Sequence, residues 1–484
     1  MTFSVIRSSR SLVRPSEKTP QGTLLDLSII DRLPVLRCNA RTLHVFRHGP
    51  GAARVIREAL SKALVPYYPL AGKLKESSQG QLQIECSGGV WFVEASADCT
   101  LYGVNYLDND IVSIPHDELL PDHIPQNEGI DPLVQLQLKE SSQGQLQIEC
   151  SGGVWFVEAS ADCTLYGVNY LDNDIVSIPH DELLPDHIPQ NEGIDPLVQL
   201  QVTQFACGGF VIGLIFCHCI CDGLGAAQFL NAIGELARGA EHLSTAPVWQ
   251  RDFFPPPPEQ AKVTPLPNLP PPMPNYTLNH ANVDITLDHI NQLKQEFRQS
   301  TGRTCSSFEV VAAKFWSRRT QAINFKQDTE LKLVFFANCR QLLNPPLPNG
   351  FYGNCFFPVT ITASSESLTQ ASISDVVKLI QEAKAKLPTE FDKYMKGESI
   401  KDGEDPFAPP LAYTTLFISE WGRLGFNQVD YGWGPPVHIV PIQGSSIIPV
   451  GIVGSLPLPM KGARLMTWCV EEAHRQHFLN QMTT

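Results

Sequence analysis

The octapeptide FCHCICDG, residues 216–223, places one histidine, three cysteines and one aspartate at the end of a long apolar run. Three chemistries use such residues, a metal centre, a thiol redox pair and a general base; the fourth reading is none at all, a strand end that happens to carry a histidine. A zinc site would need Cys217, His218, Cys219 and Cys221 on one ion. Neighbours on an extended strand point to opposite faces, so four such residues do not converge on a tetrahedral metal. No second Cys or His pair with ligand spacing occurs elsewhere, and no metal is expected. A C-x-x-C redox pair is absent here too, and Cys219 and Cys221 read as small apolar side chains. His218 remains. Imidazole is the side chain whose ordinary pKa suits proton transfer near neutrality. The apolar strand ends at this histidine, and Asp222 and Gly223 then open a helix. Asp222 could orient His218, or it could bind a distant arginine and fix the loop, and the spacing does not separate these roles.

The flanking elements are legible from hydrophobic periodicity. PLVQLQVTQFACGGFVIGLIFCH (196–218) reads as two long strands joined at Gly208-Gly209, and GLGAAQFLNAIGELARG (223–239) as a helix with a glycine stop. AARVIREALSKAL (52–64) is a helix, and QLQIEC and VWFVEA are short strands around a Gly-Gly turn. A proline-rich stretch at 253–276 excludes helix and central strand and marks a domain crossover. Beyond it, LDHINQLKQEFRQS and SSFEVVAAKFWSRRTQAI are amphipathic helices, the second opening with the capping box Ser306-x-x-Glu309. LKLVFFANCR, CFFPVTITA, YTTLFIS, IPVGIVGS and ARLMTWCV are strands. Strands and helices mix without strict alternation, so the fold class is α/β of the mixed α+β kind.

Residues 74–137 and 138–201 are identical. Natural repeat arrays drift in sequence and rarely stop at two units, so this block reads as a tandem duplication rather than a repeat architecture. Each copy carries one lysine against eleven acidic residues. Removing one 64-residue copy takes the chain from 484 to 420 residues and its net charge from −14 to −4. The acidity therefore carries no functional message of its own, although it argues against nucleic acid or anionic membrane as the main partner. Of the thirteen cysteines, four lie in the two copies; the rest are scattered through apolar runs, as buried thiols in a reducing compartment would be. The first residues lack an apolar core of signal-peptide length, and no run is long enough to span a bilayer. A soluble, cytoplasmic protein is expected.

His218-Cys-Ile-Cys-Asp222-Gly223 resembles the H-x-x-x-D-G motif of the plant BAHD acyl-CoA-dependent acyltransferases. Asp430-Tyr431-Gly432-Trp433-Gly434 resembles their D-F-G-W-G motif, with tyrosine for phenylalanine. ALVPYYPLAGKL, TCSSFEVVAAKFW, NCRQL, FYGNCF and EWGRLGF are similar to family segments and occur in family order. The resemblance implies two chloramphenicol-acetyltransferase-like domains with a channel between them: 1–252, which carries H-x-x-x-D, and 277–484, which carries D-Y-G-W-G, joined by the 253–276 crossover. It implies an acyl-CoA donor as co-substrate with no other cofactor, a small alcohol or amine acceptor, and a monomer.

The same resemblance implies roles for residues. His218 deprotonates the acceptor, and Trp421 of SEW (419–421) donates its indole N–H to the tetrahedral oxyanion. Asp222 turns from the chemistry toward Arg340 of NCRQL, so that Asp222, Gly223 and Arg340 are structural. Asp430, Gly432, Trp433 and Gly434 are remote loop-forming and packing residues. Ser306 and Ser307, at a helix start where free N–H groups bind anions, lie in the family's CoA region. The stretches RSLVRPSEKTPQGTL, RTLHVFR, YGNCFFPVT and VDYGWG are similar to the subgroup containing monolignol p-coumaroyl transferases and taxane and benzyl-alcohol acyltransferases. A hydroxycinnamoyl donor and a monolignol-type alcohol are therefore expected. Acetyl or benzoyl transfer to a terpenoid, benzyl or aliphatic alcohol or an amine is the alternative, as is a non-catalytic relative disabled by the repeat.

Overall fold

The structure is a computed structural model. It describes residues 5–36, 38–76, 82–86, 90–97, 139–140, 146–147, 154–161, 197–253, 276–398, 405–442 and 448–483. Residues 254–275 of the 253–276 proline-rich crossover lie outside the described residues.

In chain order the first elements are β1 (Val5–Val13), β2 (Leu24–Asp26), β3 (Asn39–Phe46), α1 (Ala52–Ala63), β4 (Lys73–Glu76), β5 (Leu82–Glu85) and β6 (Val90–Ala97). Next come β7 (Lys139–Glu140), β8 (Leu146–Gln147), β9 (Val154–Ala161), β10 (Val198–Phe205), β11 (Phe210–Cys217) and α2 (Gly223–Ala237). After the crossover follow β12 (Asn279–Thr286), α3 (Leu287–Thr301), α4 (Ser307–Ile323), β13 (Glu330–Asn338), β14 (Phe356–Ser364), α5 (Ser365–Gln370) and α6 (Ile373–Met395). The last are β15 (Thr415–Glu420), β16 (His438–Pro441), β17 (Val450–Ser455), β18 (Gly462–Val470) and α7 (Glu472–Thr483).

The chain divides into two compact units. The first holds residues 1–253, 348–354 and 424–443, and the second holds 254–347, 355–423 and 444–484. The first boundary falls where the proline run begins, but the division is not linear. Strand β16 pairs antiparallel with β3, Ile439 opposite His44. That pairing brings the Asp430–Gly434 loop into the first unit, whereas a division at 252 and 277 alone would leave it in the second.

The first unit is built on a seven-stranded sheet of β1, β6, β9, β10, β11, β3 and β16. Strands β10 and β11 form the antiparallel hairpin expected around Gly208-Gly209, Leu200 opposite Leu214, and Gly208 takes the positive φ that the turn requires. Strand β11 is buried at every position, which explains an apolar run without polar alternation.

The two identical blocks meet in this sheet. Arg10 of β1 stands opposite Val93 of β6 and also opposite Val157 of β9; Ser11 stands opposite Phe92 and Phe156. Each pair of partners is the same residue of the two copies. The far side repeats the rule: Gln204 of β10 faces Ser96, and Phe205 faces Ala161, the next position of the other copy. One slot between β1 and β10 thus has two claimants of identical sequence and register. The hairpin that opens each block is likewise duplicated. Lys75 pairs with Gln83 in β4–β5, and Lys139 with Gln147 in β7–β8. The first hairpin joins β2 in a three-stranded sheet, while the second forms a two-stranded sheet of its own. At the other end, Val198–Gln201 of the second copy begin β10.

The second unit carries a six-stranded sheet ordered β12-β18-β17-β15-β13-β14. Its core gathers Val310, Phe315 and Trp316 of α4 with Leu333, Leu416, Leu465 and Phe478. Helix α4 begins at the expected capping box: Ser306 Oγ accepts from Glu309 N–H, and Glu309 Oε2 accepts from Ser306 N–H.

Candidate active site

His218 lies one residue beyond β11, where the chain leaves the ladder. The strand ends at Cys217 and residues 218–220 form a turn, so the extended geometry assumed for FCHCICDG stops before the histidine. The cysteines are used locally: Cys219 Sγ donates to the carbonyl of Leu36 at 3.1 Å, and burial pushes the Cys221 thiol well up. The ten described cysteines are all free thiols, seven of them buried.

His218 N–H donates to the carbonyl of Cys38 at 2.8 Å. Its own carbonyl accepts from the Asn354 side-chain amide at 2.7 Å. Burial pushes the imidazole pKa down, opposed by the residue's own backbone, the Asp222 carboxylate, the Asn354 amide and Asp31. The ring is therefore neutral at physiological pH, the form that can accept a proton.

Asp222 is the N-cap of α2. Its Oδ1 accepts from Gly225 N–H at 3.0 Å. The cap satisfies one of the orphan donors at the helix start and fixes where the turn carrying His218 must end. Gly223 is the first helical residue, and a Cβ there would meet Leu424 at 2.6 Å. Gly225 is tighter still, with a Cβ position 1.9 Å from the Tyr352 carbonyl oxygen. Arg340, in the second unit, donates through Nη1 to Asn338 Oδ1 at 3.2 Å.

The Asp430–Gly434 loop is a self-closed turn. Asp430 Oδ1 accepts from Gly432 N–H and Gly434 N–H, both at 2.8 Å, and both glycines have positive φ. Tyr431 is buried against Phe46 and Phe210, and Trp433 packs edge-on to Phe210. The Tyr431 hydroxyl, the one departure from the family motif, is buried and meets no hydrogen-bond partner among the described residues.

In the second unit, Trp421 Nε1 donates to Ser419 Oγ at 3.2 Å, and the ring packs against a cluster of Leu278, Ile452, Met466 and Trp468. Ser306 is occupied as a cap, and Ser307 Oγ accepts from Lys294 Nζ at 3.0 Å. Beside this helix start is a cleft of about 500 Å³ lined by Gly302, Arg303, Thr304, Glu309, Gln381 and Lys384.

Sequence reading missed three residues that hold the His218 turn: Asp31, Arg251 and Asn354. Asp31 and Asn354 lie inside LDLSIIDRLP and FYGNCF. No local pattern marked them: Asp31 is followed by Arg32, and the same stretch carries a second acid, Asp26, between two leucines.

The Transferase family profile matches residues 3–140 and 135–447, so both copies of the block fall within matched regions. Acyl transferase 4 of Oryza sativa subsp. japonica is 39% identical over 506 aligned positions, covering 100% of this chain and 99% of the relative. A myricetin 3-O-glucosyl 1,2-rhamnoside 6'-O-caffeoyltransferase of Crocosmia x crocosmiiflora is 35% identical, with the same coverage. Among solved structures, vinorine synthase superposes with a TM-score of 0.63 over 98% of this chain and 96% of its own, at 19% identity. The chain belongs to the Transferase family and is an acyltransferase of the BAHD type.

Proposed function

We propose that this acyltransferase moves a hydroxycinnamoyl group, such as p-coumaroyl, from its CoA thioester to the hydroxyl of a monolignol-type alcohol, with His218 as general base. The observation that carries the reading is geometric: His218 is half-buried in the turn just beyond β11, its backbone N–H tied to Cys38 and its carbonyl to Asn354. The relative named as a caffeoyltransferase, similar over the whole chain, supports a hydroxycinnamoyl donor.

His218 takes the acceptor O–H proton as the oxygen attacks the thioester carbonyl. The tetrahedral oxyanion then collapses, the C–S bond breaks, and the imidazolium returns the proton to the CoA thiolate. Trp421 is the proposed oxyanion donor; its single indole N–H, given to Ser419 Oγ at 3.2 Å, would have to leave that oxygen for the oxyanion. Removing such a donor typically costs ~10²–10³-fold in rate. The cleft beside Ser306 and Ser307, with Arg303 and Lys384 on its wall, is the proposed binding region for CoA phosphates. Asp222 acts through the helix cap, and Arg340 is structural.

The test is a matrix of acyl-CoA donors against alcohols and amines, read by product mass, with His218→Ala as control. A p-coumaroyl ester of a monolignol as the dominant product supports the reading. A dominant acetyl or benzoyl product overturns the substrate assignment. General-base loss should lower turnover ~10²–10⁴-fold, and near-wild-type turnover by His218→Ala removes the histidine from the mechanism.

A further inference from the structure

The turn that carries His218 is held at two of its three carbonyls by donors anchored on one buried carboxylate. Asn354 Nδ2 donates to the His218 carbonyl at 2.7 Å and lies 2.7 Å from Asp31 Oδ1. Arg251 Nη2 donates to the Ile220 carbonyl at 2.9 Å, while its Nη1 reaches Asp31 Oδ2 at 3.2 Å. The Asp31 side chain is 0% exposed and that of Arg251 2%. Ser28 completes the set, its N–H and Oγ donating to Asp31 Oδ2 at 3.1 and 2.8 Å. Arg251 is also stacked over the Trp249 ring, 4.1 Å from its centroid.

A buried ion pair is a poor source of net stability, because desolvation offsets most of its attraction. Here Arg251 and the Asn354 amide, both held by Asp31, are spent on two carbonyls of one turn, which sets the 218–219 and 220–221 peptide planes. The histidine N–H is separately tied to Cys38. The backbone of His218 is thus clamped on both sides, and the imidazole inherits its direction from that clamp.

We propose that Asn354, together with Asp31 and Arg251, is a positioning residue for His218 in acyl transfer. The inference rests on His218 being the base. Catalytic groups must be held within roughly 0.5 Å of the productive geometry, and a misplacement of about 1 Å can cost ~10²-fold in rate. Asn354 is the member to perturb. Losing its amide leaves Asp31 with Arg251 and Ser28, whereas removing Arg251 would strand the carboxylate.

The experiment is a double-mutant cycle of Asn354→Ala with His218→Ala on the full chain. Thioester release from p-coumaroyl-CoA with coniferyl alcohol is measured alongside the melting temperature. Asn354→Ala is expected to lower kcat ~10–10²-fold with KM for the thioester changed less than about 3-fold. In the His218→Ala background it should lower the residual rate no further, while the fall in melting temperature is the same in both backgrounds. Equal fold-losses in the two backgrounds, or a kcat within about 3-fold of wild type despite a lower melting temperature, would overturn the inference and leave the base assignment standing. Near-wild-type turnover by His218→Ala alone would instead overturn the base assignment. Should Asn354→Ala fail to fold, Ser28→Ala loosens Asp31 from the other side. It is then expected to lower kcat about 3-fold by the same route, again with no further loss in the His218→Ala background; a loss there overturns the inference.

Discussion

Two identical strands with one register against β1 make that strand redundant, and proline substitution tests this directly. Val93 and Val157 occupy the same position of the two copies, each opposite Arg10, with β10 on the far side of the slot. A proline between two paired neighbours removes a ladder hydrogen bond and is tolerated only at edges. The cost to the whole protein then depends on how easily the other copy takes the place. With the first copy in the slot, the segments between β5, β6 and β10 are 4 and 100 residues; with the second, those between β5, β9 and β10 are 68 and 36. The logarithmic loop-closure rule favours the first arrangement by about 1.5 kcal/mol, or roughly tenfold. Val93→Pro is therefore expected to cost about 1.5 kcal/mol and no more, because the second copy caps the loss. Val157→Pro should cost close to nothing. The double variant has no intact copy and should lose upwards of ~3 kcal/mol, unfolding the first unit. Urea denaturation paired with thioester release reads all three. Deleting either copy yields the same 420-residue chain, in which Val93→Pro should behave like the double variant. A Val93→Pro protein as unstable as the double would refute the exchange of copies.

Three further outcomes follow from buried groups. His44 is fully buried, and burial pushes its pKa down to about 3. Below an ordinary imidazole pKa the unfolded chain binds a proton that the folded one refuses. Stability therefore falls as pH drops from about 6.5 toward 3, by up to ~1.4 kcal/mol per pH unit; His44→Gln should flatten that acid limb in urea titrations from pH 7 to 4, and parallel limbs would contradict it. Tyr431→Phe removes a buried hydroxyl without a described partner and should raise the melting temperature, in the direction of ~1 kcal/mol, with turnover unchanged. Gly225→Ala would gain about 1 kcal/mol from helix propensity alone, yet its Cβ would sit 1.9 Å from the Tyr352 oxygen. The clash should win, with a net loss of ~1–3 kcal/mol by thermal melting.

Most local elements could be read in advance, because each is encoded by neighbours in sequence. The β10–β11 hairpin follows from two apolar runs around Gly208-Gly209, and the start of α4 from Ser306 and Glu309. His218 could be singled out because an apolar strand stops there. What holds His218 could not. Asn354 lies 136 residues from it and 323 from Asp31, and Arg251 lies 220 from Asp31. Contacts of that separation leave no periodicity or spacing to find. The placement of Asp430–Gly434 in the first unit was hidden for the same reason, since it depends on β16 returning to β3.

That return of β16 has a consequence for biosynthesis. At roughly 5–20 residues per second, about 7 to 27 s separate the synthesis of His218 from that of Asn354. Strand β3 waits longer, because its partner on one side arrives only at His438–Pro441. Until then the nascent first unit offers an unpaired edge at β3, separated by β11 and β10 from the doubled strands β6 and β9. Unpaired edges are templates for association between chains, so crowded ribosomes making this protein should depend on chaperones. A chain stalled before residue 354 would carry the histidine but not the amide that aims it.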